Sequence, residues 1–207
     1  MGQAQFSMSL QGGGVAIQQN VVVSADHPNP FDPDIPAGIA GELTTRTDND
    51  TGVVTVASGH GVVDTDTVDL YTSAGVLIRK DMDVTAVTST TISIDAGTGS
   101  NLPTVNDPVV ISEQKTVNTS IDGDAIQILG LCLEIAGATG NGRVLFEDAA
   151  GDDIADISLT ANLPLVYNVA AGQTNPLTGD PITVARVSNG NTTAGKLKII
   201  SMEDSTP

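Results

Sequence analysis

The sequence predicts an all-β protein: a small β-barrel-like domain followed by an antiparallel jelly-roll-like β-sandwich, with an extended N-terminal arm. Three observations carry that expectation. Thr, Val, Gly, Asp and Asn dominate the 207 residues, a profile that favours strands and turns over helices. The apolar runs are short, β-branched and set apart by turn formers. The aromatic content is three Phe, two Tyr and no Trp, so any core must be built from thin aliphatic side chains.

Residues 1–50 are the least regular. QGGG at 11–14 gives way to VAIQQNVVV, and then to SADHPNPFDPDIPAGIAG, in which Pro28, Pro30, Pro33 and Pro36 fall close together. Proline removes backbone donors and biases the residue before it to extended geometry. This segment reads as an arm laid over a surface, with Val21, Val22, Phe31, Ile35 and Pro36 as its interface anchors. His27, which precedes a proline, reads as a surface or interface residue.

Residues 51–116 read as the barrel-like domain. GVVTVAS, TVDLYTS, GVLIRKDMDVTAV, TTISIDAG and DPVVIS supply five short strands. Residues 117–207 read as the sandwich, with VNTSIDGD at the boundary. Its strands are AIQILGLCLEIAG, GRVLFEDA, DDIADISLT, LPLVYNVA, PITVARVS and KLKIISM. The first of these is almost wholly apolar and is expected to be central. Cys132 lies in it, and reads as a small buried hydrophobe.

Charge narrows the partners. With 25 acidic and 8 basic residues the formal net charge is −17. Nucleic acid is not an expected partner, because phosphate binding needs a Lys/Arg surface. An anionic membrane surface would be repelled, and no apolar run approaches the roughly 20 residues of a span. MGQAQFSMSLQGGG has neither the basic nor the apolar region of a signal peptide, so synthesis in a cytoplasm without export is expected.

Candidate chemistry is sparse. His60 sits in SGHG with Ser58, Asp64 and Asp66 nearby. A catalytic base needs a nucleophile and an orienting group on converging elements, whereas these residues share one turn. A zinc site needs three or four ligands at characteristic spacing, and SGHG stands alone. His60 therefore reads as turn chemistry, with Gly59 and Gly61 giving backbone freedom and the ring donating a hydrogen bond that pins the loop. The acidic runs DNDTG, DTDTVD, DGD and EDAAGDD fall at turns and do not fit an EF-hand loop. Asp148, Asp152 and Asp153 form the best calcium trio among them. No catalytic residue, cofactor or metal site is expected.

TVASGHGVVDTDTVDLY, followed by VTAVTSTTISID, resembles a small β module of tailed-bacteriophage virion proteins. There a strand ends in HG and the next strands close a Val-rich hairpin. His60, Gly61, Asp66 and Val68 match, while Thr65 stands where that module carries glycine. GNGRVLFEDAAGDDI, PLVYNVAAG and KLKIISM are similar to jelly-roll-like domains of phage head decoration and head-fibre proteins. The resemblance implies a virion structural protein, most like a capsid decoration (cement) protein. It would lie on the capsid surface, bind the major capsid protein across subunits, and form a homo-oligomer, a trimer by preference. A tail or fibre component using the same modules is the runner-up. A carbohydrate-binding adhesive module would need exposed aromatics, and only Tyr71 and Tyr167 are candidates. An enzyme is the remaining class.

Overall fold

The computed structural model describes residues 33–98, 102–118, 126–148, 150–166 and 184–203. All the described elements are strands: β1 (Asp34–Ile35), β2 (Ile39–Arg46), β3 (Thr51–Val56), β4 (Thr67–Thr72), β5 (Leu77–Val87), β6 (Thr91–Asp95) and β7 (Pro108–Glu113) come first. They are followed by β8 (Lys115–Asn118), β9 (Ile126–Glu134), β10 (Asn141–Glu147), β11 (Asp153–Thr160), β12 (Leu165–Val166), β13 (Val184–Asn189) and β14 (Gly195–Glu203). Among the described residues no helix is long and apolar enough to cross a membrane.

Strands β2-β3-β6-β5-β4-β7 form a closed barrel, sealed by the β2–β7 ladder from Ile39↔Ile111 to Glu42↔Pro108. Every pairing in it is antiparallel. Closing so few strands requires sharp bending. Register shifts supply it at Leu43/Thr45, along β4–β5, and at Val84/Ala86. The period of two sends Leu43, Val54, Val56, Val68, Leu70, Met82, Val84, Ile92, Ile94, Val109 and Ile111 into one aliphatic core. Each such side chain contributes about 1.5–3 kcal/mol when fully buried. The barrel takes its first strand from IAGELTTR, residues whose neighbouring prolines group them with the arm in composition.

The remaining strands form two four-stranded sheets, β1-β14-β9-β12 and β11-β10-β13-β8. Among the described strands of this half, only β10 and β11 are consecutive and paired within one sheet. Ile35, Leu131, Leu133 and Leu197 from the first sheet meet Val144, Phe146, Leu159, Ala185 and Val187 from the second in a single cluster. The two apolar clusters share no residue. Barrel and sheets nevertheless belong to one compact unit, residues 31–207.

Cys132 differs from expectation. The run around it is apolar on both faces, yet Leu131 and Leu133 turn into the core and Cys132 lies half-buried on the opposite face. Strand alternation forces that choice once its neighbours face inward. Burial raises the thiol's pKa, and Glu134 adds to the shift, so little thiolate forms near neutrality.

Candidate functional site

The His60 loop connects β3 to β4. Gly59 (φ 83°) and Gly61 (φ 82°) hold left-handed conformations that a side chain resists. Between them His60 is fixed through both ring nitrogens. Val62 N–H donates to Nδ1 at 3.2 Å, which puts the ring proton on Nε2, and Nε2–H donates to the Thr88 carbonyl at 2.9 Å. Thr88 belongs to the β5–β6 turn, so the imidazole ties one barrel loop to the next. Asp66 accepts the Val63 N–H at 2.8 Å. Thr65 adopts φ 90°, a conformation a β-branched residue resists.

The acidic turns are likewise occupied with their own backbone. Asp48 Oδ1 accepts from the amides of Asp50 (3.0 Å) and Thr51 (2.7 Å). The Asp50 amide bond is the main reason the Asp48 carboxyl lies below its usual range. Asp148 Oδ1 accepts from Ala150 (2.8 Å) and Asp152 (2.9 Å), while Asp152 and Asp153 are exposed. No group of three His, Cys, Asp or Glu side chains able to hold a metal occurs among the described residues.

The densest polar chemistry lies where the barrel meets the two sheets. Strand alternation builds it. Val68 and Leu70 enter the barrel core, so Asp69 and Tyr71 point outward from the barrel. Val144 and Phe146 enter the sheet core, so Arg143 points the other way, towards the barrel. Both outward faces are covered: Arg143 is 2% exposed, Asp69 0% and Tyr71 0%.

Arg143 uses both edges of its guanidinium. Nε and Nη2 donate to Asp156 at 2.6 and 3.2 Å, and Nη1 and Nη2 donate to Asp81 at 2.7 and 3.0 Å. Nη1 also reaches Asp69 Oδ1 at 3.2 Å. Such paired forks fix geometry as well as charge. Gln114 Nε2 donates to Asp69 (2.7 Å) and to Asp81 (2.8 Å), while its Oε1 meets no protein donor. Ser188 donates to Asp69, and Tyr71 donates to Ser188 at 2.6 Å. Lys80 adds a second cation on Asp156. Asp81 itself sits at φ 55°, and its amide donates to Asp69 at 3.0 Å.

The ionisation of the cluster follows from these contacts. Burial alone would raise Asp81, but hydrogen bonds from Arg143 and Gln114 outweigh it and hold the carboxyl below its ordinary value. Asp156 is held low in the same way, burial being outweighed by Arg143 and Lys80. For Arg143, burial opposes the charge, and the Asp156 and Asp81 bonds overcome that and keep it firmly protonated. Burial pushes the Tyr71 phenol well above its usual range, and Asp69 adds to the shift.

Backbone contacts complete the seam. Asn189 N–H donates to Ser112 Oγ at 2.7 Å, joining β13 to β7. Asn141 N–H donates to the Gly75 carbonyl at 2.7 Å, and the Asn191 amide holds Gly140. Gly190 lies flat against the Tyr71 ring, where a Cβ would collide with it.

Of the arm anchors read from sequence, Ile35 is 2% exposed and takes its burial from the sheet core of its own chain, while Pro36 is exposed. Val21, Val22, Phe31 and His27 lie outside the described residues, as does Tyr167. The seam itself was not read from sequence. Its one trace there is a charged residue set among apolar neighbours in each of two strands, Asp69 between Val68 and Leu70 and Arg143 before Val144-Leu145-Phe146. No protein-family model, curated protein sequence or solved structure matches the chain.

Proposed function

We propose that this chain is a non-enzymatic structural protein of a tailed-bacteriophage virion, which decorates and stabilises the capsid by binding across capsid subunits. The observation that carries the reading is the seam. Its buried polar groups are spent on locking a closed barrel to a pair of sheets, which yields a stiff block rather than a reactive cleft. The two sheets are read as the jelly-roll-like sandwich, and the N-terminal residues as the arm that reaches a neighbouring subunit. The motif around His60 supports a virion module, because the HG turn and the Val-rich hairpin are held together by the histidine itself.

Surface charge suits such a role. Each of the eight Lys and Arg side chains has an oxygen partner within the chain, so the outer surface presents excess carboxylate. Copies repel one another until a specific contact forms, and icosahedral repetition turns weak contacts into avidity. The partner is then the major capsid protein, met by a homo-oligomer, a trimer by preference. A sugar-binding adhesive module is disfavoured by one observation: Tyr71, one of only two tyrosines, is wholly buried and cannot stack on a sugar ring.

The test is co-sedimentation with particles of the phage that carries the gene. Decoration predicts many copies per head, at a fixed ratio to the major capsid protein. A few copies that follow purified tails support the fibre alternative, and no association with particles refutes both.

A further inference from the structure

We propose that the seam is an acid-released joint, which parts the barrel from the two sheets while each keeps its own core. Two features of the packing point to it. The apolar clusters of the two halves share no residue, so neither core is opened when the halves separate. What holds the halves at the centre is charge: Arg143 on β10, with Asp69 on β4, Asp81 on β5 and Asp156 on β11 around it.

The groups facing this cluster decide its response to acid. From β4 come Asp69 and Tyr71, and from β5 Lys80 and Asp81. Gln114 follows β7, and Lys115 on β8 is turned to the Asp34 carbonyl. From β10 come Arg143 and Glu147, the latter held by Arg186 of β13. β11 gives Asp156, and β13 gives Ser188. Near neutrality three carboxylates face two cations, Arg143 and Lys80. Asp81 and Asp156 are partly exposed, at 44% and 29% of their side-chain surface, so protons reach them. Protonating both removes the two carboxylates that meet Arg143 with paired hydrogen bonds. Arg143 is then buried without sufficient counter-charge, a condition relieved only by hydration. Asp81 and Asp156 have folded-state values below the ordinary carboxylate value. Their contribution is therefore complete above about pH 4 and is lost as pH falls through those lower values.

The experiment is an acid titration of the full chain, followed by small-angle scattering for size and by hydrogen exchange for each half. The expected result is an increase in radius below about pH 4. The seam amides of Asn141 and Asn189, which donate across to Gly75 and Ser112, should lose protection, while the amides of Val54, Ile94, Leu131 and Leu133 keep theirs. Loss of core protection at the same pH as the expansion overturns the joint. Arg143→Met reverses the sign: three carboxylates then repel at neutrality and acid tightens the seam, so opening in acid like the parent would refute the proposal. Should that variant not fold, Lys80→Met at a half-exposed position decides. Removing Lys80 raises Asp156, so opening must move to higher pH, and an unmoved midpoint rejects the mechanism.

Discussion

The barrel and the two-sheet half solve the same problem with opposite chain economies. In the barrel, β3 follows β2 directly and pairs with it, β4 pairs with β5, and β5 with β6; the circle is then closed by β2 and β7. In the other half, one tight hairpin, β10–β11, lies among pairings that join strands far apart in sequence: β1 to β14, β14 to β9, β13 to β8. Among the described strands, the barrel thus takes three of its six pairings from consecutive strands, and the two-sheet half one of its six. Contacts of long sequence separation carry a larger loop-closure entropy.

The largest effect that would break this contrast comes from the N-terminus. Removing residues 1–45 deletes β1 and nearly all of β2, so it unseals the barrel and strips Ile35 from the sheet core at once. The expected outcome is loss of cooperative thermal unfolding in both halves, checked by calorimetry. A truncated chain with a sharp transition would mean that neither half needs those strands.

Next is the seam. Arg143→Gln leaves the fully buried Asp69 and the half-exposed Asp81 without this cation and should cost about 3–5 kcal/mol, read as a lowered midpoint in urea. Because the seam joins two separate cores, this variant should also split one transition into two.

A smaller effect is confined to the barrel. His60→Ala removes two hydrogen bonds from an exposed loop and should cost about 1–2 kcal/mol, with hydrogen exchange rising at Val62 and leaving the two-sheet half unchanged. The smallest effect is a gain. Thr65→Gly relieves a left-handed threonine and should raise stability by about 1 kcal/mol, seen as a modest rise in the barrel's melting temperature.

Much of the fold was legible because strands announce themselves by period. GVVTVAS, TVDLYTS, GVLIRKDMDVTAV, TTISIDAG and DPVVIS fall on β3 to β7, each with alternating or continuous β-branched residues between turn formers. Three strands gave no such sign. Asp34–Ile35 is two residues long between Pro33 and Pro36, and becomes β1 through pairing with β14. IAGELTTR carries two small residues and both charges, and it follows prolines; it becomes β2 because β3 and β7 both need a partner. KTVN is too short to show any period, and becomes β8 through pairing with β13. The His60 turn was legible because glycine on both sides is local chemistry. Arg143 was not, because its partners Asp69 and Asp81 lie 74 and 62 residues away, and no local pattern says which charged residue in an apolar strand will face another. Cys132 was misplaced for a related reason: an all-apolar run does not reveal which of its two faces meets the core.

The closed barrel has one more consequence. A circle of strands has no first or last member, so it offers no open row of backbone donors and acceptors to another chain. All four edges of the described sheets, β1, β12, β11 and β8, belong to the other half. Copies that joined edge to edge would do so through the described edges of that half alone.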